Sequence, residues 1–131
     1  PRLERRALLQ HAHQWTRHEC AGAGPSPRFG HAACRAAESL YVFGGSSAED
    51  YVSLNDRWEY ALGTHVWTQV VSTGGSAPSP RADNSLFPLG NRLVVFHGIV
   101  PRVWNDPEEE VAGVIYTHDA ALHCFDLQRR R

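Results

Sequence analysis

The chain has 131 residues, with Lys+Arg 13 against Asp+Glu 14 and a formal net charge of −1. That balance gives no electrostatic drive toward nucleic acid or an anionic membrane surface, and no apolar run approaches the roughly 18 residues needed to span a bilayer. Cys20, Cys34 and Cys124 are an odd number, widely spaced and without a C-x-x-C pair. This favours reduced thiols in an intracellular, cytoplasmic setting over a disulfide scaffold.

Residues 1–20 read as the outer strands of an incomplete unit, with Leu8 seven residues before Trp15. Residues 21–72 read as one complete four-stranded unit. Its first strand is expected over 29–34, where Gly30, Ala32 and Ala33 are small enough for strands crowded near an axis. Leu40 to Phe43 is apolar without alternation, as a strand covered on both faces should be. Gly44-Gly45 ends it, since glycine reaches backbone angles closed to other residues. Residues 57–62 alternate, with Trp58, Tyr60 and Leu62 on one face and Arg57 and Glu59 on the other. Gly63-Thr64 makes a tight turn into an outer strand over 66–71, and Gly74-Gly75 with Pro78 and Pro80 marks a connection.

Residues 73–131 read as a second unit lacking its outer strand, with 81–96 repeating the first two strands. Its distinguishing feature follows. Gly45 to Tyr60 spans 15 residues, whereas Gly98 to Phe125 spans 27. The 12 extra residues are placed in a long loop over 99–119, which holds Val103-Trp104-Asn105-Asp106-Pro107 and Glu108-Glu109-Glu110. Loops of that length are uncommon unless functional or disordered.

The two units repeat one another. Pro25-Ser26-Pro27-Arg28 recurs as Pro78-Ser79-Pro80-Arg81 at an offset of 53, Leu40 to Gly45 answers to Leu93 to Gly98 at the same offset, and Trp15-Thr16 recurs as Trp67-Thr68 at 52. A fixed period near 50 residues built from short strands is the signature of a β-propeller, in which a blade cannot bury its faces without neighbours. The pattern resembles the Kelch repeat: four hydrophobic residues (Leu40 to Phe43), a double glycine (Gly44-Gly45), then an aromatic and a tryptophan six residues apart (Tyr60, Trp67), with Asn55-Asp56-Arg57-Trp58-Glu59-Tyr60 leading into the third strand. The second repeat departs from it, since His97 replaces the first glycine and Ala120-Ala121 stand where Asn55-Asp56 would be. Phe125-Asp126-Leu127 resembles Tyr60-Ala61-Leu62, and the matching tryptophan is expected just after Arg131.

The expected fold class is therefore all-β: about two and a half four-stranded Kelch blades of a β-propeller, a fragment of a larger closed ring, since propellers close with about four to eight blades. The other blades are expected from the same parent chain or from another copy. The absence of any methionine suits an internal fragment.

An up-and-down blade places its turns alternately on opposite ends. The second-to-third-strand loops and the blade connections, residues 20–28, 46–54, 72–80 and 99–119, then share one end. Binding residues concentrate on loops held by a rigid scaffold. The Kelch resemblance implies that a partner peptide binds such a face, as in substrate-recruiting arms of ubiquitin ligases or cytoskeletal and transcriptional adaptors. Arg28 and Arg81 are candidate forked donors for an acidic partner peptide. The structural alternative is that each pairs with an aspartate or backbone group of a neighbouring blade. Trp104 either anchors a partner, as interface aromatics do, or folds its loop onto the propeller. Asp50 and Tyr51 add an amphipathic contact. Glu108 to Glu110 reads as a solvated run, with a basic partner as the alternative. Trp15, Trp58, Tyr60 and Trp67 are expected in the core, and His31 as a structural histidine. Ser26-Pro27 and Ser79-Pro80 resemble sites for proline-directed kinases, although turn chemistry explains them more simply.

Eight histidines raise the question of a metal. His11, His13, His18 and Cys20 form one sequence cluster and His118, Asp119, His123 and Cys124 another, neither with the spacing of a familiar zinc motif. Propellers related to Kelch include copper galactose oxidases and iron-dependent plant specifier proteins, whose sites draw on distant blades. Phosphate-loop, G-x-S-x-G and H-E-x-x-H motifs are missing from the sequence. The expectation is a non-enzymatic protein-interaction module without a cofactor, binding a protein or peptide through Arg28, Asp50, Tyr51, Arg81 and Trp104. A propeller enzyme or metal protein is the alternative.

Overall fold

The computed structural model describes residues 15–72, 74–106 and 111–128. These residues form an all-β fold with no helix among them. The strands are β1 (Arg28–Phe29), β2 (Ala32–Ala36), β3 (Ser39–Phe43), β4 (Ser46–Ser47), β5 (Arg57–Ala61), β6 (Val66–Gln69), β7 (Ser85–Leu89), β8 (Arg92–Phe96), β9 (Ile99–Asp106), β10 (Val111–His118) and β11 (Leu122–Asp126).

The first blade is the antiparallel sheet β2-β3-β5-β6 and the second is β11-β8-β7. The innermost strand of the first blade begins later than expected, at Ala32, because Phe29 belongs to a separate two-residue pairing of β1 with β4. Of the preceding unit, residues 1–14 lie outside the described residues. Residues 15–20 carry no strand, Ala21 bridges Val66 in parallel, and Trp15, expected in the core, is exposed.

The core lies between the two blades. Ala32, Ala36, Tyr41 and Phe43 on one sheet meet Leu86, Leu93 and Val95 on the other, with Cys34, Phe125 and Leu127 packed against them. Strand alternation explains the set: Ala32 pairs with Phe43, and Leu86 with Val95, so each pair sits on one face. Alanines on the innermost strand let the sheets approach closely, and Phe43 and Leu93 fill the space between them. Arg57, opposite Phe43 in the register, lays its guanidinium over the Phe125 ring at 3.7 Å, a favourable cation–π contact. The far face of the second blade leaves Phe87, Leu89, Phe96 and Leu122 exposed, as in a repeat whose faces are buried by stacking.

Within residues 99–119, expected as a loop, Ile99–Asp106 and Val111–His118 pair as the two antiparallel strands of a β-hairpin. Strands β9 and β10 pair over eight positions, from Asp106 opposite Val111 to Ile99 opposite His118. The physical reason is local. Val114-Ile115-Tyr116-Thr117 is a β-branched and aromatic run suited to a pleated strand.

Candidate interaction site

The shared end of both blades is fixed by the two Pro-Ser-Pro-Arg elements. Arg28 donates from Nε to the Ser26 carbonyl (3.1 Å), from Nη2 to Ser26 Oγ (3.1 Å) and from Nη1 to the Gly44 carbonyl (3.1 Å). Its fork also grips Asp56 with both nitrogens, at 2.6 and 2.9 Å. Arg81 repeats the pattern: Nε to the Ser79 carbonyl (3.0 Å), Nη2 to Ser79 Oγ (3.0 Å), Nη1 to the His97 carbonyl (3.1 Å), and Nη2 to Asp119 Oδ2 (2.8 Å). The bidentate grip of Arg28 on Asp56 fixes both distance and orientation, whereas Arg81 holds Asp119 through Nη2 alone. Each arginine thereby clasps the entry to a first strand onto the entry to the third strand of the same blade.

The side chains of Arg28 and Arg81 are 4% and 0% exposed. Their donors are turned inward, so a partner carboxylate reaching either one would first have to displace an aspartate. The arrangement matches the structural alternative for both arginines, with one difference: the partner aspartate belongs to the same blade, not to a neighbour.

Burial disfavours the charge on Asp56, but hydrogen bonds from Arg28 and Trp58 and the charge of Arg28 outweigh it, so its pKa lies below the ordinary carboxylate value. The Asp119 carboxylate accepts from the Ala121 amide at 2.8 Å. That bond, with the Arg81 hydrogen bond and charge, outweighs burial and lowers its pKa as well.

The 47–53 turn carries Asp50 and Tyr51. It is closed by the Ser47 amide donating to the Val52 carbonyl (2.9 Å) and the Tyr51 amide to the Ser47 carbonyl (3.0 Å). Asp50 is exposed, and hydrogen bonds from Ser47 and the Val52 amide hold its pKa down. Tyr51 is 71% exposed at a φ of 61°, with its ring edge-on to Phe29 at 5.9 Å. A left-handed backbone costs a non-glycine residue roughly 1–2 kcal/mol, so this tyrosine is presented at some expense.

Trp104 sits in β9 opposite Gly113 of β10. Around it the hairpin exposes Val114, Ile115 and Tyr116 at 58%, 47% and 66%. Three consecutive strand residues point alternately to the two faces, so Val114 and Tyr116 open on one face of the ribbon and Ile115 on the other, where Arg102 lies opposite it. The feet of the turn and of the hairpin rest on one segment. The Arg81 amide donates to the Leu54 carbonyl (3.0 Å), while Ala82 and Ile99 exchange both backbone hydrogen bonds, at 3.1 and 2.8 Å.

The structure thus brings Asp50, Tyr51 and the Trp104 hairpin to one end and withdraws the guanidinia of Arg28 and Arg81 from it. Sequence reasoning overlooked Val114, Ile115 and Tyr116, whose signal was the β-branched and aromatic run. It also overlooked the roles of Asp56 and Asp119. Glu108 to Glu110 lie outside the described residues, as do His11 and His13. Among the described residues, no group of three or more His, Cys, Asp or Glu side chains is placed to hold a metal ion. His18 instead stacks on His65 at 5.1 Å, and the His118 ring lies tilted against that of His97 at 5.2 Å. No helix among the described residues is long and apolar enough to cross a membrane.

Residues 7–131 match the KLHDC2/KLHL20/DRC7 Kelch-repeats domain. The chain is similar to tip elongation aberrant protein 1 of Schizosaccharomyces pombe, 39% identical over 117 residues that cover 87% of this chain and 9% of that protein. It is also similar to host cell factor of Drosophila melanogaster, 32% identical over 79% of this chain and 7% of the relative. Human Kelch domain-containing protein 10 is 35% identical over 76% of this chain and 25% of its own length. The chain therefore spans a quarter or less of each of these relatives. With the repeated blade, the double-glycine strand end and the domain match in agreement, the chain belongs to the Kelch-repeat family.

Proposed function

We propose that this Kelch segment is a non-enzymatic protein-interaction module that meets its partner through the β9–β10 hairpin, assisted by Asp50 and Tyr51 on the neighbouring turn. The observation that carries this reading is the hairpin itself, an eight-pair ribbon with Val114, Ile115 and Tyr116 open to solvent. A two-stranded hairpin is marginally stable alone, and contiguous exposed apolar surface marks interaction sites. Aromatic side chains such as Trp104 and Tyr116 suit the anchoring role at an interface. Arg28 and Arg81 serve this surface indirectly, by holding the strand entries on which it stands. The setting we infer is intracellular, with Cys20, Cys34 and Cys124 kept as free thiols.

The test is affinity capture from cells expressing the full-length protein, either unaltered or with residues 100–117 replaced by a short Gly-Ser turn. Loss of specific partners with an unchanged melting temperature supports the reading. An identical partner set from both forms removes it.

A further inference from the structure

The interaction surface leaves the two Ser-Pro elements unused. Ser26 and Ser79 are both exposed, lie outside any strand and precede a proline. The structure adds what their sequence does not show, namely that each hydroxyl oxygen lies against a guanidinium. Arg28 Nη2 is 3.1 Å from Ser26 Oγ, and Arg81 Nη2 is 3.0 Å from Ser79 Oγ. The same nitrogens hold the clasp carboxylates, Asp56 Oδ2 at 2.9 Å and Asp119 Oδ2 at 2.8 Å. A group added to either serine oxygen therefore arrives beside a cation and its existing anionic partner.

We propose that Ser26 and Ser79 are phosphorylation sites for a proline-directed protein kinase, and that the phosphoserine takes the arginine from its aspartate and opens the clasp. In the transfer step the serine oxygen attacks the γ-phosphorus of ATP. The new Oγ–P bond forms as the bond from phosphorus to the ADP oxygen breaks, and the hydroxyl proton passes to the kinase's base. The product carries a charge of about −1.5 to −2 and three strong acceptor oxygens.

Guanidinium binds phosphate with the same fork it offers a carboxylate, so the two anions compete for one donor set. They cannot share it comfortably, because like charges a few ångströms apart repel strongly where water is scarce. The phosphate has the advantage of greater charge and of attachment next to the arginine. The displaced carboxylate keeps its other donors, the Trp58 indole for Asp56 (2.6 Å) and the Ala121 amide for Asp119 (2.8 Å). The backbone bonds beside the clasp lose their support: the Gly44 amide to the Asp56 carbonyl (3.2 Å), the Gly45 amide to the Arg81 carbonyl (2.8 Å) and the Asp119 amide to the Gly98 carbonyl (3.0 Å).

The experiment treats the folded full-length protein with a proline-directed kinase and ATP, maps sites by mass spectrometry and follows amide hydrogen exchange. Ser26→Ala and Ser79→Ala variants are run in parallel. Both serines are expected to be modified in the folded protein, with exchange at Gly44, Gly45 and Asp119 rising about tenfold or more as the local bonds open, and each alanine variant losing the effect at its own clasp. Two results overturn the proposal: serines that remain unmodified in the folded protein, even if a denatured sample accepts phosphate, or modified serines with exchange unchanged.

Discussion

The connection after β3 and the connection after β8 begin and end alike but differ in everything between. Each starts at a left-handed residue, Gly44 (φ 66°) or His97 (φ 62°), whose carbonyl accepts from a clasping arginine. Each ends at a carboxylate on that same arginine. Between those points the first connection makes only the two-residue strand β4, whereas the second builds an eight-pair hairpin. The register pairs Phe43 with Arg57 and Phe96 with Leu122, so Ala121 stands at the place of Asp56. Asp119, two residues earlier, supplies the missing carboxylate. What the blade requires is a carboxylate within reach of the guanidinium, not one at a set position. Because the ends are held, the middle is free to vary, and closing a longer loop adds little entropic cost.

The harshest way to break this comparison is to remove a clasp. Arg81→Ala is expected to destabilise the propeller by about 2–4 kcal/mol, below the upper end for a broken buried pair because Asp119 retains 27% exposure. Chemical denaturation measures it, and a loss under about 0.5 kcal/mol, typical of plain surface changes, would deny the clasp its structural role. Arg28→Ala should follow the same course.

The two left-handed residues sharpen the comparison. A Cβ at Gly44 would lie 2.7 Å from the Arg81 carbonyl oxygen, so Gly44→Ala is expected to cost about 1–3 kcal/mol through strain and overpacking. His97→Gly should change stability by less than about 1 kcal/mol, since relief of the left-handed backbone is offset by greater freedom in the unfolded chain. Thermal unfolding of the pair checks the asymmetry.

A third comparison is by pH. Asp56 and Asp119 both have folded pKa values below their unfolded ones. Their contribution is therefore fully present above the unfolded carboxylate pKa of about 4 and is lost as pH falls through the depressed folded values. Melting temperature should drop over that acidic window, and Asp56→Asn or Asp119→Asn should start lower and show a shallower drop. Equal slopes in variant and parent would contradict the assignment. The smallest effect on stability is expected at Tyr116→Ala, within about 0.5 kcal/mol for an exposed residue, together with weakened capture of partners.

How much of this was legible in the chain follows from the physics of each part. The blade was readable because Leu40 to Phe43, Gly44-Gly45 and the Tyr60–Trp67 spacing are local patterns set by strand burial and turn geometry. The hairpin was not, because length alone suggested a loop, and the Val114 to Thr117 run lacks the alternation that marks a half-buried strand. The arginines were found by their repetition, but whether a guanidinium faces inward depends on a carboxylate 28 or 38 residues away. For the second blade that carboxylate was displaced from its motif position, which no local pattern reveals. Trp15 was placed in the core by analogy with Trp67, yet it stands exposed in a stretch, residues 15–20, that carries no strand.

The roles of clasp and hairpin separate in one experiment: residues 100–117 of the full-length protein are replaced with a short turn, and melting temperature and partner capture are recorded on the same preparations. A melting temperature within a few degrees of the parent and the loss of specific partners are expected, because the clasps hold the blades and the hairpin makes the contact. A collapsed fold would show that the hairpin is part of the scaffold. Unchanged partners would place the contact elsewhere.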